Sequence, residues 1–215
     1  MTVCGALVVS SSSTVYTPQE LAHRKVGLDY GNGTAYAGLL MLEGAMPRDA
    51  VTTCAATVNS GDRLAAVMRG EYEATVLQEP WITLAEKLGC RIISSTFFHG
   101  TWVADPSISP DAYAAFLRAV TRAVRRINAD KRRYVSYYIR DFPDHPGIAA
   151  LRPEDFNLGR IQLKEPGPIP EHEARWAWEW MASWGLMPGD FDATDQIDRR
   201  VEHRAHELAA AGLAG

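Results

Sequence analysis

The stretch from Lys25 to Gly44, K-V-G-L-D-Y-G-N-G-T followed by A-Y-A-G-L-L-M-L-E-G, leaves few folds open to the chain that carries it. Val26 to Tyr30 is a short apolar run that Gly31-Asn32-Gly33 breaks. Ala35, Leu39 and Leu42 then recur at helical spacing until Gly44 ends the helix. The pattern predicts strand, tight loop, helix. Such a junction leaves backbone N–H groups at the helix start with the positive end of the helix dipole behind them, a place for a small anionic or polar ligand. Thr34 is the expected N-cap, its hydroxyl available to the helix or to a ligand. A capped helix that binds nothing explains the loop equally well, because G-x-G-T is far shorter than a full dinucleotide or P-loop signature.

The alternation continues. Val51 to Ala56 reads as a strand, and Ser60 or Asp62 as the cap of a helix carrying Leu64, Val67 and Met68. Glu71 to Leu77 contains the next strand. Trp81, Leu84, Ala85 and Leu88 mark the next helix, and Arg91 to Ser95 the fourth strand. Strands alternating with helices predict an α/β fold with a parallel, doubly wound sheet, whose ligands sit beyond the carboxyl ends of the strands. The loops at that edge bring together Tyr30, Gly31, Asn32, Gly33, Thr34, Asn59, Ser60, Gln78, Glu79, Trp81, Phe98 and His99 as candidate ligand contacts. Each has a plainer explanation. Trp81 can pack on Leu84 and Leu88, and Glu79 is favoured at a helix start by about 0.3–1 kcal/mol without any ligand.

Before this region, Leu7 to Val9 is a candidate strand, and Thr17-Pro18-Gln19-Glu20 is a capping box with proline at its first helical position. After it, Thr101 to Ala104 is a further strand candidate. Ser109-Pro110 opens a long helix with the apolar stripe Tyr113, Phe116, Leu117, Val120, Val124 and Ile127. Tyr134 to Ile139 suggests another helix, and Glu165 to Pro170 a stiff linker. Ala177, Trp180, Met181 and Trp184 share one face of a later helix, whose tryptophans call for burial in a core or an interface. The tail, from Asp192, is a charged helix with the thin stripe Ile197, Val201, Ala205 and Leu208.

Composition excludes several classes. A net charge of −4 gives no basic field for nucleic acid, and no stretch has the length of a membrane span. Cys4, Cys54 and Cys90 have the spacing of neither a disulfide framework nor a zinc site, and His203 with His206 lacks a third ligand, so no metal and no cofactor is expected. The run from Met1 to Val9 lacks the basic start of a signal peptide, so the chain as given is expected in the cytoplasm; a start upstream of Met1 would make it periplasmic or extracellular.

The order T-P-Q-E-L, R-K-V-G-L-D-Y-G-N-G-T, D-R-L-A-A-V-M-R-G-E-Y-E-A-T-V-L-Q-E-P-W, S-P-D-A-Y-A-A-F-L-R-A-V-T-R-A-V-R-R-I-N-A-D and W-M-A-S-W-G-L-M resembles the type II periplasmic binding proteins. Within them it is similar to the nitrate/sulfonate/taurine and thiamine-pyrimidine group of substrate-binding proteins. The resemblance implies two lobes around a cleft, with crossovers near Leu7 to Ser13 and Thr96 to Val103. Residues 1–24 would be a hinge strand and connector, 25–95 the ligand-binding lobe two, and 96–215 the return crossover and the helical part of lobe one. Members of the group begin with about a hundred further residues that build the first sheet of lobe one. Without them, helices from Tyr113 to Trp184 would expose more apolar area than a monomer tolerates. A partner chain supplying the missing half, or a second copy in a homo-oligomer, is therefore expected.

Three functions are compatible with the resemblance. One is capture of a small polar or anionic molecule in the cleft. Another is a cytoplasmic enzyme of desulfinase, decarboxylase or pyrimidine-synthase type, one subunit of a two-chain active site, with His99 or Glu79 as acid or base and Cys54 as nucleophile. The last is a non-catalytic sensor or assembly subunit.

Overall fold

The computed structural model describes residues 2–188, 192–197 and 199–213. Met1 lies outside the described residues, and with it the expectation about the start. The chain divides into two compact units: Thr2–Gly100 with Asp130–Gln162, and Thr101–Ala129 with the residues from Leu163 onward.

In the first unit β1 (Thr2–Val9), β2 (Lys25–Leu28), α1 (Gly33–Glu43), β3 (Thr52–Ala55), α2 (Ser60–Met68), β4 (Ala74–Leu77), α3 (Trp81–Lys87) and β5 (Arg91–His99) follow one another. The sheet order is β3-β2-β4-β1-β5. β2 pairs in parallel with β3 and β4, as the strand–helix alternation requires. The sheet is nevertheless mixed rather than parallel throughout. β1 runs antiparallel to both β4 and β5, filling the place over which α3 carries the chain from β4 to β5. Only a short helical turn, Pro18–Leu21, separates β1 from β2, and there the Glu20 carboxylate accepts from the N–H groups of Tyr16 and Thr17, as the capping box predicts.

Leu7 to Val9, expected as a strand, is the fully buried end of β1, paired with β4 and β5. Gly5 turns toward α1, where an added Cβ would lie 3.1 Å from that of Ala37. On the opposite face Cys4, Ala6 and Val8 join Leu64, Leu77, Trp81 and Ile82 in one core. Val135, Ile148, Leu151, Phe156 and Ile161 complete it. Those last residues come from α5 (Lys131–Tyr134), α6 (Ser136–Arg140), α7 (Pro146–Ala149) and the turns that follow. Each such side chain contributes about 1.5–3 kcal/mol by leaving water, which is why 130–162 stays with the sheet.

Polar ties reinforce that docking. Arg160 donates from Nε to Glu79 Oε1 at 2.8 Å and, through its fork, to both oxygens of Glu86 at 3.1 and 2.6 Å. Lys87 Nζ lies 2.6 Å from Asp155 Oδ1.

The second unit contains α4 (Pro110–Ala129), α8 (Glu171–Ser183) and α9 (Arg199–Leu213), with no strand among the described residues. Thr101 to Ala104, expected as a strand, has no regular structure. Ser109 caps α4 by accepting from Ala112 N at 3.2 Å, as its sequence predicts. The buried stripe of α4 is Ala114, Leu117, Thr121 and Val124, one step round from the expected one, and it leaves Phe116 41% exposed. α4 packs on α9 through Ala114, Leu117, Ala205 and Ala209. The tryptophan helix does not supply a core within this unit: no residue of α8 is buried, and Trp176 is 53% exposed. Among the described residues no helix is long and apolar enough to cross a membrane, and no group of three or more His, Cys, Asp or Glu is placed to hold a metal ion.

Candidate ligand site

The carboxyl edge of the parallel strands is built from the loops after β2, β3 and β4 and from the end of β5. After β2, Asp29 is buried, and its carboxylate organises the glycine loop: Oδ1 accepts from Gly31 N at 3.1 Å and Oδ2 from the Asn32 side-chain amide. Asn32, not Thr34, is the N-cap of α1. Its Oδ1 accepts from Thr34 N at 2.7 Å and from the Thr34 hydroxyl. Thr34 is buried, and its hydroxyl donates to the cap. Gly33 N–H, at the first helical position, has no acceptor among the described residues. Tyr30 is half exposed and bonds through its hydroxyl to the Thr53 hydroxyl on β3.

After β3, Asn59 caps α2, accepting from Gly61 N at 2.8 Å and Asp62 N at 3.2 Å. Neither Ser60 nor Asp62 does so, because the asparagine one step earlier already stands in the extended conformation a cap requires. Ser60 Oγ accepts instead from Arg63 Nη2 at 2.9 Å. Met68, grouped with Leu64 and Val67 in the sequence, is 47% exposed, whereas Arg63 in the first turn is buried.

After β4, Gln78 is half-buried, while Glu79 and Trp81 face inward. Glu79 Oε2 accepts from Thr83 N and Oγ1 at 3.1 and 2.8 Å, and Oε1 pairs with Arg160. Burial pushes the Glu79 carboxyl above its ordinary pKa, against the pull of Arg160 and Thr83. The Trp81 indole, 7% exposed, is enclosed rather than presented on the rim. An added Cβ on Gly61 would meet it at 2.6 Å, and Phe142 and His145 close on it edge-on at 5.5 and 4.7 Å.

At the end of β5, His99 is exposed and Phe98 lies against the start of α1, where a Cβ on Gly33 would come within 2.4 Å of its ring. The structure thus brings Gly31, Asn32, Gly33 and Phe98 together, and joins Tyr30 to β3. Thr34, Glu79 and Trp81 are each engaged with other protein groups.

The groups considered for catalysis are not assembled. Cys54 sits on one edge strand and His99 on the other, four strand spacings and so at least about 19 Å apart. Burial raises the Cys54 thiol pKa, and the side chain packs with Ala66, Val67 and Tyr72. Its alkylation by iodoacetamide at pH 7 is therefore expected to be slower than that of free cysteine; a rate above it would show an activated thiolate.

Sequence reasoning passed over two residues, Asp29 and Arg63. Asp29 lies within the apolar run Val26 to Tyr30, and Arg63 beside the apolar positions that mark its helix. The signal was present: Arg63 falls at helical spacing with the buried Ala66 and Val67.

No family model and no curated protein matches this chain. Solved structures do. The periplasmic sulfonate-binding protein SsuA of Methylobacillus flagellatus KT superposes with a TM-score of 0.62 at 20% identity, over 98% of this chain and 68% of that one. The alkanesulfonate-binding protein SsuA of Xanthomonas axonopodis pv. citri, bound to MOPS, gives 0.63 at 13% identity, over 89% and 68%. DszB in complex with biphenyl-2-sulfinic acid gives 0.57 at 14% identity, over 96% and 78%.

Proposed function

We propose that this chain, which has the type II periplasmic binding protein fold, is a small-molecule binding subunit of substrate-binding-protein type. It holds a small anionic or polar ligand at the carboxyl edge of its sheet, in a cleft completed by further polypeptide. The observation that carries this reading is the pairing of two capped helix N-termini, α1 and α2, on neighbouring strand ends, with Gly33 N–H turned to no acceptor among the described residues. Such termini favour negative charge. Phe98 offers an apolar wall beside them. Sulfonates are the first class to test, since two of the similar structures are sulfonate-binding proteins and one of these holds MOPS.

The further polypeptide, a second chain or a second copy, is called for by the helical unit. Among the described residues its core of Ala114, Leu117, Ala205 and Ala209 is thin, while Val103, Phe116 and Trp176 stand exposed.

Amide chemical-shift mapping with MOPS tests the site. Shifts are expected at Gly31, Gly33, Ser60 and Gln78; shifts confined to other surfaces, or none at millimolar MOPS, would contradict it. Gly33→Val, whose side chain would displace the Phe98 ring and cover the amide, is expected to weaken MOPS binding at least about tenfold, for a stability cost of about 1–3 kcal/mol. Unchanged affinity in a folded variant would move the site elsewhere.

A further inference from the structure

The Arg63 side chain is 1% exposed, yet it stands in the first turn of α2, where an arginine ordinarily reaches water. Its guanidinium is spent on the ends of three strands. Nη1 donates to Thr57 O at 2.8 Å and Val58 O at 2.9 Å, in the loop after β3. Nη2 donates to Ser60 Oγ at 2.9 Å and Val76 O on β4 at 3.4 Å. Nη1 also lies 3.8 Å from Asp29 Oδ2, the carboxylate that shapes the glycine loop after β2. From the other side, the Tyr72 hydroxyl donates to Arg63 O at 3.3 Å. A planar fork with several fixed donors can satisfy acceptors on separate loops at once, which a lysine ammonium on a flexible stem cannot.

We infer that Arg63 is the positioning residue of this edge: it ties the loops after β2 and β3 and the end of β4 into one piece, so that the N-termini of α1 and α2 act on a ligand together. Asp29 is its counterpart in the glycine loop. At the base of the two loops the backbone joins them through Ala56 N–H to Leu28 O at 2.9 Å, and beyond that bond no backbone hydrogen bond links them among the described residues.

The consequence is readable without a ligand. In Arg63→Lys the hydrogen-bonded amides of Gly31 and Asn32 and those of Asn59, Gly61 and Asp62 are expected to exchange with solvent at least about tenfold faster, both groups together, while the β1–β5 ladder keeps its protection. Asp29→Asn retains the shape and the acceptor for Gly31 N but removes the charge. It is expected to speed exchange at Asn59 to Asp62, a loop that Asp29 does not bond. The role is overturned if Arg63→Lys loosens only the α2 loop, if Asp29→Asn affects only its own loop, or if exchange rises equally throughout the sheet. What the coupling does for a ligand rests on the binding reading above. Coupled loops without MOPS shifts would defeat that reading alone; uncoupled loops with MOPS shifts would defeat the role of Arg63 alone.

Discussion

Replacing Arg160 by alanine is expected to lower the stability of the sheet-bearing unit by about 3–5 kcal/mol, because it leaves the Glu79 carboxylate buried without its cation. The Glu79 side chain is 4% exposed and that of Arg160 10%, so water compensates neither. The loss depends on pH, and its sign follows from the carboxyl being raised in the folded state. A raised carboxyl binds protons more tightly folded than unfolded. Its contribution is therefore most favourable below the ordinary carboxylate pKa and is lost as pH rises through the folded value. Without Arg160 that folded value climbs further. Denaturant unfolding should show the variant farther below the parent protein at pH 7 to 8 than near pH 4, and an equal or smaller gap at high pH would remove the buried-pair account.

Phe156→Ala is expected to cost a similar amount, about 3–5 kcal/mol, by opening a cavity where segment 130–162 meets the sheet. Phe156 is buried in the same cluster as Ile82 and Leu77, its ring stacked at 6.0 Å on Tyr138. The matched comparison is Phe116→Ala on α4, where the ring is half exposed and the expected cost is below about 1 kcal/mol. If the two variants unfold alike, the assignment of 130–162 to the sheet's core is mistaken.

The strand–loop–helix stretch at Lys25 to Gly44 was legible because three local signals agree there: an apolar run, glycines, and a 3.6-residue period. The caps were legible only to within a residue or two. Asn32 and Thr34, like Asn59 and Ser60, are chemically interchangeable as caps, and backbone conformation decides between them. Long-range partners were not legible. Glu79 reads locally as a residue favoured by a helix dipole, whereas its carboxylate is held by Arg160, 81 positions away. Nothing local states that β1 must lie antiparallel between β4 and β5, since its pairing is settled by strands more than sixty residues downstream. The tryptophan stripe of α8 was read correctly as apolar, but a stripe does not say what covers it.

Under the proposed function, this chain binds a small molecule in a cleft that further polypeptide completes. Native mass spectrometry of the protein purified from its own cells tests it most directly. The expected species is heavier than the 23.7 kDa chain, carrying additional polypeptide and a bound small molecule that gentle activation releases. A folded 23.7 kDa monomer with neither would contradict it.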